Sequence, residues 1–416
     1  HCNQTNAMQD PHAHEMEEDE DEEEEMFLGE DEVAELVASA GPDGDDEPPP
    51  DSDDDEEAKG GEDEDEIPDD SVVQLVGHEE PVHCVAFNPA NPDIAVTGSQ
   101  DDSAVLWRCS EGKKLFELKG HTDTICGVAF NADGKMLATA SMDSTVKVWS
   151  VEEGNLIATL EGPGDEITWV TWHPKGNVVL AGSGDFTTWM WSLPAGSVMQ
   201  VFAGHSEAVS CGGFTPDGKQ VVTACAGGQL RVYNPRDGSC IVAVQSDPMF
   251  HMEGICCMDL SAPDLIMTGG TDGSAFLTRL NLAVTPPTAR AFANFRGARN
   301  GLEDVAVCSR LGIAATGGED GVLRVYDIDR PELVRLTCNH GETIVKIRFH
   351  PALDVLLAAG VSGVVTIWDA KNGSLLKKLS GHRDTVLDMA ISPDGKWLLT
   401  GSDDTAALLF DLSVPQ

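Results

Sequence analysis

Four side-chain types recur at fixed offsets along this 416-residue chain, and together they could do chemistry. His121, Ser141, Asp143 and Trp149 form one set, and His78, Ser99, Asp101 and Trp107 form another in the same order. Serine, histidine and aspartate are the parts of nucleophilic hydrolysis: a hydroxyl that attacks, an imidazole that takes its proton, a carboxylate that orients the imidazole. An active site is needed once, however, whereas this set returns in step with the rest of the chain. Side chains repeated in phase point to a buried hydrogen-bonded unit, which is favourable only when every member is satisfied. The set also decays. Pro163 stands at the histidine place of the third copy, Cys225 and Gly227 at the Ser and Asp places of the fourth, Thr278 at the aromatic place of the fifth and Ser362 at the Asp place of the seventh. No catalytic residue is assigned. No cofactor or metal site is expected either. The glycines around Ser183 and at Gly269-Gly270 fall in turns with no helix following, and the 12 histidines include no HExxH pair.

The elements that position these side chains follow from the repeat itself. Apolar runs end at Trp107, Trp149, Trp191, Tyr233, Thr278, Tyr326, Trp368 and Phe410, spaced 42, 42, 42, 45, 48, 42 and 42 residues apart. Each unit reads as four short strands with Gly, Asn, Asp and Pro in the turns. The second unit shows the strands at 125–130, 136–140, 146–149 and 155–160. The last repeat stops just after its third strand, while an orphan strand, Val72 to Val76, precedes the first repeat. The two ends are expected to complete one another, which leaves no open sheet edge to invite aggregation.

Gly-His pairs at Gly77-His78, Gly120-His121, Gly204-His205 and Gly381-His382, with Tyr326-Asp327, Trp368-Asp369 and Phe410-Asp411 at the strand ends, carry a resemblance to the WD-repeat family. The resemblance implies an all-β fold, an eight-bladed β-propeller over residues 71–416 closed by the 72–76 strand. In that family the repeated His, Ser, Asp and Trp tie the loop before each first strand to the turn between the second and third.

Ahead of the repeats lies a segment of another kind. Of 72 acidic residues, 32 fall within 1–70, against Lys59 as the one basic residue there. So much like charge cannot bury enough apolar surface to order a chain, so a disordered acidic tail is expected. One apolar interruption, Met26-Phe27-Leu28 followed by Val33, Leu36 and Val37, has the look of a linear motif or of a slightly sticky patch. The net charge of −46 excludes nucleic acid and anionic membrane surfaces as direct partners and makes a basic protein the natural one. No apolar run approaches the length of a membrane-spanning helix. The 11 cysteines are scattered, which suits free thiols in a reducing compartment: the cytoplasm, with the nucleus alongside. A monomer is expected. A first residue of His leaves room for a segment upstream.

In a propeller of this family the loops before the first strands share one face with the turns between second and third strands. Glu79, Glu80, Asp123, Asp165, Glu166, Glu207, Glu303, Asp304, Glu342 and Asp384 fall in those loops, an expected acidic ring around the channel mouth. Trp169 takes a place that other repeats give to Cys84, Gly127 and Cys211. Phe186 stands in place of Ser144, and Trp189 in place of Lys147. Three aromatics at small or polar places in one blade read as an anchor pocket for the partner, or as repacking around the missing histidine. The third repeat, the acidic tail and the repeat number are together similar to the angio-associated migratory cell protein family. Its fungal members chaperone one basic large-subunit ribosomal protein before assembly into the 60S particle, and its animal members are linked to migration and signalling. The resemblance implies a dedicated chaperone; a multi-partner scaffold in signalling, migration or trafficking and a ubiquitin-ligase substrate receptor are the alternatives.

Overall fold

The computed structural model describes residues 68–244, 250–262, 264–282, 284, 287–295, 298, 300–331 and 333–413. Residues 1–67, with the Met26–Val37 segment and the expected disorder, lie outside the described residues. Among the described residues, 32 strands form eight four-stranded antiparallel sheets, each built from strands consecutive in the chain except the last. Blade 2 is typical, with strands Ile125–Phe130, Met136–Ser141, Val146–Ser150 and Leu156–Leu160 running from the channel outward. Innermost strands of successive blades touch all the way round, including blade 8 against blade 1, so the ring is closed. The seven in-phase aromatics and Thr278 each sit on a third strand, and the spacing read from sequence is the blade count. Blade 5, which the two long spacings flank, takes innermost and outermost strands of 8 residues, Ile255–Ala262 and Thr288–Phe295.

Burial explains why the strands differ in pattern. Second strands such as Ile94–Ser99 are buried at every position, because a neighbouring blade covers each face, and so they read as unbroken apolar or small runs. Outermost strands such as Leu375–Leu379 are exposed along most of their length. The core is correspondingly divided into eight pads, one between each pair of blades. Cys84, Val96, Leu106 and Leu118 of blade 1, for example, pack on Ile125, Leu137 and Trp149 of blade 2. Each pad leans on the next, the nearest-neighbour arrangement that makes repeat stability collective.

Blade 8 takes its fourth strand from the other end of the chain. Val73–Leu75 pairs antiparallel with Ala407–Asp411 in the register Val73 to Leu409 and Leu75 to Ala407. Asp69 and Asp70 are acidic like the tail, yet they serve the propeller. The Asp70 N–H donates to the Ser380 carbonyl at 2.8 Å, and the Ser380 N–H donates to the Asp70 carboxylate at 2.9 Å. The Gln74 amide donates to Asp69 at 2.7 Å.

Candidate protein-binding face

The repeated polar set is a buried chain with a member that the offsets did not reveal. In blade 1, His78 Nδ1–H donates to Asp101 at 2.8 Å and His78 Nε2 accepts the Thr97 hydroxyl at 2.7 Å. Thr97 in turn accepts the Trp107 indole N–H at 2.8 Å. Blade 2 repeats this with Asp143, His121, Thr139 and Trp149, and blade 8 with Asp404, His382 and Thr400. Ser99 and Ser141 do not touch the imidazoles. Each donates its hydroxyl to a loop carbonyl, Glu80 or Asp123, and accepts the aspartate N–H, which pins the turn. The sequence did carry a signal for the threonine: Thr97, Thr139, Thr223, Thr268 and Thr400 all recur at one phase. Burial lowers His121 despite Asp143; burial pushes Asp143 up, but hydrogen bonds from Thr145 and His121 outweigh it and hold the carboxyl low. The hydroxyl against the imidazole is wholly buried, so it meets no substrate.

Other blades vary the theme. Blade 5 contributes His251, whose Nε2 accepts the Thr268 hydroxyl at 2.8 Å and whose Nδ1 approaches Asp272; its shifted Phe250-His251-Met252 context hid it in the sequence. Blade 7 joins His340 to Thr366 at 2.9 Å and replaces the aspartate bond by Ser362 to Glu342. In blade 3, where Pro163 stands, Asp185 accepts the Gly164 N–H at 2.8 Å. Blade 4 keeps His205 on Thr223 at 2.7 Å, but Gly227 offers no carboxylate and His205 Nδ1 is buried without a partner.

These chains fix which loops share a face. The Glu79 N–H donates to Asp101 and the Thr122 N–H to Asp143, so the loop before each first strand is sewn to the second turn. Backbone bonds from Met142 to Thr124, Gly184 to Glu166, Thr271 to Gly254 and Val361 to Thr343 repeat the stitch. The acids placed there stand in water: Glu79, Glu80, Asp123, Asp165, Glu166, Glu207 and Asp384 are exposed, and Glu342 is half-buried on Ser362; Glu303 is exposed too, but it lies on the innermost strand Leu302–Cys308 and not in the loop expected for it. At the blade 1–2 junction, desolvation and then repulsion from Asp123, Asp101 and Asp143 push the Asp102 carboxyl up.

Asp304 does not belong to that ring. It is 6% exposed on the innermost strand of blade 6, where it accepts the Ile347 N–H at 2.9 Å and the Arg348 guanidinium at 2.6 Å. A strand irregularity between Leu302 and Asp304 turns consecutive acids to different surroundings. Asp388 and Asp259 act likewise, on the Val85 and Val307 N–H groups.

The three aromatics of blade 3 do not make one pocket. Trp169 packs with the core pad facing blade 4, while Trp189 packs with the pad facing blade 2. The Trp169 indole N–H donates to the Val209 carbonyl at 3.0 Å, and its ring lies between Gly182 and Gly212, where a Cβ on either would come within 2.3 Å of it. Two glycines thus open the slot that admits a wedge between blades. Trp189 stacks on Trp191 with centroids 6.0 Å apart, donates to Thr187 and covers Gly162. Phe186 remains exposed on the loop face. Among the described residues, no group of three or more His, Cys, Asp or Glu could hold a metal ion, and ten cysteines are free.

Comparison with known proteins agrees with this architecture. The family described as the IFT122 first beta-propeller matches residues 81–355, and the WD domain, G-beta repeat, matches 373–411. The angio-associated migratory cell protein of Canis lupus familiaris is 32% identical over 359 residues, covering 84% of this chain and 82% of that protein. An uncharacterized WD repeat-containing protein of Schizosaccharomyces pombe is 36% identical over 355 residues, covering 83% and 87%. The crystal structure of Chaetomium thermophilum Sqt1 bound to the N-terminus of the ribosomal protein L10 superposes with a TM-score of 0.76 at 24% identity, covering 83% of this chain and 100% of that one, a likeness of fold. The chain belongs to the WD-repeat β-propeller family, a family of protein-binding scaffolds, and the angio-associated migratory cell proteins are among its homologues.

Proposed function

We propose that this propeller is a dedicated chaperone that holds a basic segment of a ribosomal protein across its loop face until large-subunit assembly. The observation that carries the reading is the set of exposed carboxylates from Glu79 round to Asp384, contributed by most blades to one face. Like charges gathered so closely cost stability and are useful when they speed capture of an oppositely charged segment. Support comes from Sqt1, which shares the fold and was crystallised with the L10 N-terminus. The test replaces Glu79, Glu166 and Glu207 by Lys, three exposed residues outside the buried chains. Capture of an arginine- and lysine-rich peptide should slow, and its salt dependence should flatten, because rim charges act through steering. Unchanged rates would reduce the ring to a solubility device.

A multi-partner scaffold is favoured by a separate observation: the outermost strands expose Leu156, Ile157, Val198, Met199, Leu375 and Leu376 to solvent. That reading calls for partners held on the sides and captured equally well at raised salt.

A further inference from the structure

The loop face is not uniformly acidic. Among its carboxylates stand Met142, Phe186, Met252 and Val361, from blades 2, 3, 5 and 7, with 42%, 46%, 82% and 39% of their surface in water. Hydrogen bonds fix three of them on this face: the Met142 and Val361 N–H groups donate to the loop carbonyls of Thr124 and Thr343, and the Met252 N–H donates to Asp272. Each has an acid close by in the chain or its hydrogen bonds: Met142 precedes Asp143, Phe186 follows Asp185, Met252 precedes Glu253, and Val361 precedes Ser362, which donates to Glu342.

Phe186 is the most telling of them. It occupies the left-handed turn position, φ 71°, that other blades fill with Gly228, Gly273, Gly321, Gly363, Asp102, Ser144 or Thr405. A bulky side chain is strained there, and glycine or a short polar residue is what the backbone favours. Nearly half of the ring is exposed, so burial does not offset that strain.

Resting on the loop face as the binding surface, we propose that it selects an amphipathic basic segment of another protein, one in which arginines or lysines alternate with apolar side chains. The carboxylates hold the cations, and Phe186, Met142, Met252 and Val361 receive the apolar side chains between them. Charge alone would accept any polycation, including a tail of lysine and serine. Alternating apolar seats add a second requirement that salt does not screen, since apolar burial is independent of ionic strength to first order. Aromatic and methionine side chains suit this role, because they offer large contact area and adapt to varied shapes.

The experiment compares two synthetic peptides of equal charge, one alternating arginine with leucine and one alternating arginine with serine, binding to the full chain by calorimetry at low and high salt. The leucine peptide should bind at least about tenfold tighter and keep that margin at high salt. Phe186→Ser together with Met252→Ser should erase the margin while leaving the serine peptide unchanged and the melting temperature no lower than the parent's. A Phe186→Gly variant, which relieves the backbone, should melt higher and still bind the leucine peptide more weakly. Equal binding of the two peptides, or a margin that survives the substitutions, overturns the proposal and leaves a face that reads charge alone. Failure of both peptides to bind at low salt overturns the chaperone reading along with it.

Discussion

His205 is the weakest link of the buried polar chains, and its repair is predictable from its neighbours. Three intact blades place an aspartate carboxylate 2.8, 2.8 and 2.9 Å from histidine Nδ1, at His78, His121 and His382. Blade 4 has Gly227 there, and burial, followed by the Arg231 charge, lowers His205 from 6.5 to about 4, with Gln229 pulling weakly the other way. The folded state therefore resists a proton that the unfolded chain accepts. Stability is complete above pH 6.5, falls as the pH drops toward 4 and levels off below it. The gap between 6.5 and about 4 corresponds to roughly 3 kcal/mol at about 1.4 kcal/mol per pH unit. Gly227 has no left-handed backbone, and a Cβ there meets the Ser206 hydroxyl at 3.0 Å, a group that can turn aside. Gly227→Asp should restore the hydrogen bond, worth about 1 kcal/mol, and remove glycine entropy from the unfolded chain, worth about 0.5 kcal/mol more. Denaturant unfolding at pH 7 should show that gain, and the loss on acidification to pH 5 should shrink, because a carboxylate raises the histidine. Gly227→Asn supplies an acceptor without charge, so it should stabilise at pH 7 yet keep the parent's acid slope. Equal stability and equal slope in all three proteins would refute the account of blade 4.

Two further outcomes follow from the ring. Removing residues 72–76 strips blade 8 of a paired strand and its Leu75 from the core, so it should lower the melting temperature far more than removing residues 1–63; similar melting of both truncations would contradict closure by that strand. Trp169→Ala should cost about 3 kcal/mol in urea unfolding, the low end for a tryptophan truncation because the ring is half-buried, while leaving the association rate of a basic peptide unchanged; a binding loss without a stability loss would return Trp169 to the partner site.

The blade count was legible because one buried aromatic per third strand imposes a period that no local variation erases. Even Thr278, buried with a hydroxyl that finds no partner, keeps the phase. What resisted reading were contacts between blades. Gly182 and Gly212 are plain in the sequence, but only the meeting of two blades shows that both make room for Trp169. Glu303 and Asp304 are adjacent acids, and the irregularity that sends one to water and the other to Arg348 has no composition signal. Asp69 and Asp70 carry the tail's chemistry and the propeller's hydrogen bonds. His251 also lies in phase, but it follows Phe250 where His78, His121, His205 and His382 follow glycine, so it makes no Gly-His pair.

The polar groups nearest the channel are engaged in joining the blades. Thiols and hydroxyls on the innermost strands reach across to the next blade: Cys126 to the Ile167 carbonyl, Thr168 to Val209, Ser210 to Ile255 and Cys256 to Leu302. From blade 5 onward the chemistry reverses, and Asp259, Asp304 and Asp388 accept N–H groups of the following blade instead. A thiol, a hydroxyl and a carboxylate are the side chains from which hydrolytic sites are made, yet here each is consumed in holding one blade to its neighbour. On the opposite face, Asn88 and His350 close the same junctions by bonding the carbonyls of Gly134 and Gly395. A side chain engaged in this way cannot be spared for a ligand without loosening a junction, and a closed ring transmits that loosening to every pad. The exposed loop carboxylates, and the apolar side chains set among them, carry no such duty. They stand in water on the loop face, and under the proposed function their charge and spacing set what the protein can hold.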